Sequence, residues 1–61
     1  MYDVIEISNR TNKILRVIAE NKNLRDAEAI VDMAVMRRGV GESFFTYVEA
    51  GKYMAGEQLF S

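Results

Sequence analysis

The spacing of apolar residues changes twice along this chain, and each change predicts a new element. In the opening stretch MYDVIEIS, Val4, Ile5 and Ile7 favour extended backbone while Asp3, Glu6 and Ser8 interrupt the apolar run, which predicts a strand over residues 1–8. Beyond it Thr11, Ile14, Leu15 and Ile18 share one helical face, with Val17 beside them and Arg10, Lys13, Arg16 and Glu20 turned outward. That spacing predicts a helix over residues 9–21, capped by Ser8 or Asn9. Asn21, Lys22 and Asn23 form a polar break.

A second helix is predicted over residues 24–38. Asn23 suits its N-cap, Asp26 suits its first turn, and Ala27, Ile30, Val31, Ala34 and Val35 form the buried stripe, widened by Met33 and Met36 as gap-fillers. Arg37 and Arg38 occupy the last turn, where cations suit the helix dipole, and Gly39 stands where a C′ glycine belongs. The remaining segment reads two ways. Phe44, Phe45, Thr46, Tyr47 and Val48 have the β-propensity of a partner for the first strand. The stripe Phe44, Tyr47, Val48, Gly51, Met54, Ala55 and Leu59 fits a third, weaker helix, and the helical reading is favoured.

With the tail helical, the first strand has no mate within the chain, and an isolated extended segment leaves its backbone groups unpaired. The simplest mate is a second copy, giving a two-stranded antiparallel ribbon across a twofold axis. Ile5 and Ile7 then enter a shared core, which Ile14, Leu15, Ile18, Ile30, Val31 and Ala34 complete. Val4, Glu6 and Ser8 point to the other side.

Composition supports a staple of this kind. A chain of 61 residues forms one domain at most, and a globule of that size buries only about 60% of its unfolded surface. There is no Cys and no His, so disulfides and the usual zinc or haem ligands are excluded, and no metal or cofactor is expected. Oligomerisation remains. No apolar run approaches the roughly 20 residues of a membrane span, and no signal-peptide pattern is present, so a soluble, cytoplasmic protein with no membrane role is expected. The net charge is −1. Residues 1–38 hold seven Lys/Arg against six Asp/Glu, whereas residues 39–61 hold Lys52 against Glu42, Glu49 and Glu57.

One strand followed by two helices within about forty residues, carried by VIEISNRTNKILRVIAENKNL and RDAEAIVDMAV, resembles the ribbon-helix-helix (Arc- and MetJ-like) family of small dimeric DNA-binding proteins. Glu28, Ala29 and Ile30 match the family's second-helix opening. The resemblance implies a mainly α, intertwined homodimer whose ribbon enters the major groove of double-stranded DNA. It implies that Val4, Glu6 and Ser8 read base edges, and that Asn23, Leu24 and Arg25 hold a phosphate at the helix start. Arg10 and Lys13 would flank it as phosphate contacts. Glu6 departs from the basic or amide residues such faces usually carry, although a carboxylate can accept from cytosine N4.

The expectation is thus a ribbon-helix-helix core over residues 1–41, acting as a homodimeric transcriptional regulator or repressor, and a C-terminal amphipathic extension over 42–61. The alternatives are an antitoxin-like module, in which Phe44, Phe45, Tyr47, Val48 and Met54 bind a toxin or other protein, and an interaction dimer without DNA binding. Gly39-Val40-Gly41 reads as a simple turn, not a phosphate cradle. Without His or Cys, and with little room for a pocket, no catalytic residues are assigned and no enzyme is expected.

Overall fold

The computed structural model describes residues 1–38 and 41–59, the side chain of Arg38 excepted; the expectations for Gly39, the Gly39-Val40-Gly41 turn and Phe60 lie outside the described residues. Three strands and one helix follow in the order β1 (Tyr2–Ser8), β2 (Ile14–Lys22), α1 (Leu24–Arg38) and β3 (Ser43–Glu49). The strands form one antiparallel sheet in the order β2-β1-β3, so β1 is central and α1 carries the chain from one edge to the other. The mainly α, two-helix fold is therefore overturned: the chain is a small three-stranded sheet with a single helix.

The first strand has two mates within its own chain. β3 pairs with it in unbroken register from Tyr2↔Glu49 to Ser8↔Ser43. β2 pairs on the other side with three register shifts. Both edges of β1 are occupied, so it cannot form an intermolecular ribbon, and the aromatic run 44–48 is the strand that the helical reading of the tail concealed.

Residues 9–21 fail to form a helix because the chain reverses within them. The Ser8 amide donates to the Lys13 carbonyl at 3.0 Å, Asn12 N–H donates to the Ser8 carbonyl at 3.0 Å, and Asn12 adopts φ 59°. The Ser8 hydroxyl accepts from the Arg10 and Thr11 amides at 3.2 and 3.4 Å. Asn tolerates this left-handed conformation better than most residues. Beyond the turn, β2 pairs Ile14 with Ile7, Arg16 with Glu6 and Val17 with Ile5. The bulge between the first two pairs separates the core-facing Ile14 and Val17 by three residues, a spacing that imitates a helix.

Side chains of β1 alternate between two covered faces. On one, Ile5 and Ile7 meet Ile14, Val17, Phe44 and Val48, and the segment after β3 folds back so that Tyr53 and Leu59 lie over them. This return is held by backbone bonds: Ile14 N–H donates to the Glu57 carbonyl at 2.8 Å, Gly56 N–H to the Ile14 carbonyl at 2.7 Å, and Leu59 N–H to the Asn12 carbonyl at 2.9 Å. On the other face, α1 covers Val4 and Glu6 and buries Ala27 completely. The apolar residues Val4, Ile5, Ile7 and Ile14 are at most 1% exposed, and each contributes roughly 1.5–3 kcal/mol by its burial. What was assigned to a dimer core is an intrachain core.

Candidate interaction surface

The described surface is read best by first removing what the fold consumes. Asp3 is 5% exposed and Glu6 3%, and a buried carboxylate is tolerable only when hydrogen-bonded. Both are. Asp3 Oδ1 accepts from the Asn21 amide at 2.9 Å and Oδ2 from the Gly51 amide at 3.1 Å, joining an irregular residue near the end of β2 (φ 57°) to the turn after β3 (φ 77°). Glu6 Oε1 accepts from Arg16 Nε at 2.7 Å, and Oε2 accepts from the buried Ser43 hydroxyl at 2.7 Å. Among the described residues no buried side-chain nitrogen or oxygen lacks a partner.

These contacts decide what the buried acids can do. The two carboxylates project to opposite faces of β1, because their positions differ by three along a strand. They cannot flank one substrate as a general acid and base do. No group of His, Cys, Asp and Glu suited to a metal ion occurs among the described residues.

Residues expected to contact DNA are dispersed. Val4 and Glu6 lie beneath α1, and burial by the helix removes them from any outward reading face. The Ser8 side chain is spent on its own turn. Arg10 and Lys13 are exposed in the β1–β2 turn, whereas Asn23, Leu24 and Arg25 are exposed at the far end of β2. Asn23 caps α1 as expected, its side-chain oxygen accepting from the Asp26 amide at 2.8 Å. That bond occupies one of the amides a phosphate would use.

The residues expected to bind a partner protein divide as well. Phe44 and Val48 pack into the core on the face of the returning tail. Tyr47 stacks edge-on against Tyr2 on the helical face, ring centres 5.3 Å apart. Met54 is 66% exposed. Phe45 stands opposite Glu6 and lines a groove between the sheet and α1.

That groove has a volume of about 360 Å³. Ile18, Ile30, Ala34 and Phe45 give it an apolar lining, to which Arg16 and Arg37 add two cations. Arg16 is oriented by Glu6 through Nε, and its side chain as a whole remains 63% exposed. Arg37 is exposed and makes no hydrogen bond or ion pair among the described residues. Met33 is 56% exposed and also lines the groove, and Met36, on the same helix, is 85% exposed. Both methionines are therefore surface residues and not the core fillers that the sequence predicts. The signal that they are not lies in the stripe itself: Ala27, Ile30, Val31 and Ala34 already fill the sheet-facing arc, and Met36 falls opposite Ala27 at 3.6 residues per turn. Ile30, Val31 and Ala34 are only half-buried, and Leu15, also assigned to the core, is 52% exposed.

Comparison with family models, curated proteins and solved structures matches the chain to none of them. Among the described residues no helix is long and apolar enough to cross a membrane.

Proposed function

We propose that the protein is a non-catalytic protein-interaction domain, which seats an apolar side chain of an acidic partner segment in the groove beside α1. The observation that carries this reading is the continuity of the apolar groove lining with the exposed Met33, beside Arg37, whose guanidinium has no partner among the described residues. Methionine is common on surfaces that adapt to partners, because its unbranched, polarizable side chain refits easily. An arginine at the side of an apolar pocket adds an orienting contact for a carboxylate. A groove of this size falls within the range that receives a single large side chain or small ligand group.

The DNA-binding reading draws less support. Its phosphate contacts Arg10 and Lys13 are separated from Arg25 by the nine residues of β2, a span of roughly 25 Å at about 3.3 Å per residue. The net charge of −1 supplies no general attraction to a polyanion. The antitoxin-like reading asks the tail to leave its own core, where Tyr53 and Leu59 are packed.

The test is selection from a random peptide library, followed by NMR shift mapping of an enriched peptide on the folded protein. The expected peptides carry a large apolar residue near Asp or Glu and shift Ile18, Ile30, Met33 and Arg37. Met33→Asp and Arg37→Glu should each weaken them by tenfold or more. Shifts confined to the β1–β2 turn, or tight salt-sensitive binding to duplex DNA in the same buffer, would remove the proposal.

A further inference from the structure

The two edges of the sheet are treated very differently by the sequence. An exposed edge strand presents unpaired N–H and C=O groups to any other chain, and proteins usually blunt such an edge with charges, bulges or covering segments. β2 uses all three. It has three register shifts against β1, it carries Arg16, Glu20 and Lys22, and its first residues are covered by the returning tail through Ile14. β3 uses none along its length. Its seven residues, SFFTYVE, pair with β1 without a bulge, and the one charge is Glu49 at the last position. Among the described residues one backbone group on its outer side is taken, the last, where the Glu49 carbonyl accepts from the Lys52 amide at 3.4 Å. Phe44, Phe45, Thr46, Tyr47 and Val48 are all half-buried although both faces of the sheet are covered.

We propose that β3 is a self-pairing edge: two copies of the chain join β3 to β3, antiparallel about a twofold axis at Thr46, to form a six-stranded sheet. The choice of a second copy as occupant follows from the register. A twofold axis between antiparallel strands stands perpendicular to the sheet, so it keeps each side chain on its own face and sets one residue opposite its own equivalent. Thr46 is the middle of the seven, and centring there pairs the whole strand. Phe45 then faces the partner's Tyr47, Phe44 faces the partner's Val48, Thr46 faces the partner's Thr46, and Ser43 faces the partner's Glu49. Aromatic with aromatic, aromatic with β-branched and Thr with Thr are among the stabilising cross-strand pairs, and no like charges oppose. Because the axis preserves faces, both α1 helices and both grooves open on the same side of the joined sheet.

This inference is independent of what the groove binds, and its test reads association alone. Sedimentation velocity of the full chain over a concentration series should show a reversible dimer. Thr46→Lys and Thr46→Glu, each checked for native circular dichroism, should sediment as monomers because like charges then stand directly opposite. An equimolar mixture of the two should return to dimer. If either charged variant does not fold, Thr46→Cys decides, since the chain has no native cysteine: it should oxidise to a disulfide-linked dimer while Leu15→Cys in β2 stays monomeric. A wild-type monomer at every concentration, a dimer that both charged variants leave intact, or crosslinking through Leu15→Cys in preference to Thr46→Cys overturns the proposal.

Discussion

Asp3 offers the sharpest test of how so short a chain holds its ends together. Its two carboxylate oxygens accept separate backbone amides, Asn21 at 2.9 Å and Gly51 at 3.1 Å. One amide belongs to the end of β2 and the other to the turn after β3, where the Ala50 amide donates to the Met1 carbonyl at 2.9 Å. Replacing Asp3 by Asn keeps volume and shape but supplies one acceptor and one donor, so one amide must face an N–H group. Hydrogen bonds to a charged acceptor are worth about 1.5–3 kcal/mol, and an orphaned donor costs about 1–3 kcal/mol when fully buried, so these part-buried amides fall at the low end. Asp3→Asn should therefore cost about 2 kcal/mol, and Asp3→Ala, which orphans both amides, about 3 kcal/mol or more. Against the ~3–5 kcal/mol that a single core of this size supplies, either loss brings the domain close to unfolding at room temperature. Urea denaturation followed by circular dichroism gives the magnitude, and amide exchange at Asn21 and Gly51 gives the location. A loss below about 0.5 kcal/mol for Asp3→Asn, with protection of both amides unchanged, would refute the clamp.

Other perturbations separate core from surface. Deleting residues 52–61 removes Tyr53 and Leu59 from Ile5, Ile7 and Ile14, and the truncated chain should be unfolded by circular dichroism; a native spectrum would make the tail an appendage. Ile5→Ala, at a fully buried position of the central strand, should cost about 2–5 kcal/mol by denaturant titration. Asn23→Ala removes the cap on Asp26 N–H and should lower the denaturation midpoint by the equivalent of about 1 kcal/mol. Arg10→Ala and Lys13→Ala, at exposed turn positions, should each change stability by less than about 0.5 kcal/mol.

Two elements could be read directly from the chain, and the reason is local. MYDVIEIS supplies a strand whose ends coincide with β1, and the Asn23 cap with the Ala27, Ile30, Val31 and Ala34 stripe delimits α1 at Leu24–Arg38. Both signals depend on residues within a few positions of one another. β2 was hidden because its bulge lengthens the core-facing spacing, and because the information that makes it a strand lies in β1, ten residues away. Two clues were nonetheless present: the run Val17-Ile18 is β-branched, and Asn12, at positive φ, marks the turn before the segment. β3 was ambiguous for another reason. SFFTYVE is apolar on both faces, which fits an element covered by α1 and by the tail, and such a run carries no period of two.

The same double coverage explains why the functional reading of Glu6 moved so far. On a two-stranded ribbon an acid between Ile5 and Ile7 would face outward, since a ribbon has one covered side. In a sheet covered on both faces it has no outward side to occupy, and its burial is offset by partners that include Arg16 and Ser43, which reach it from the neighbouring strands. Those contacts turn Arg16 towards the groove and tie β2 to β3 across β1. The groove thus depends on a buried charge for the aim of one of its arginines. Removing Glu6 should therefore alter recognition at the groove as well as stability, whereas removing Arg37, which has no partner within the described chain, should alter recognition alone.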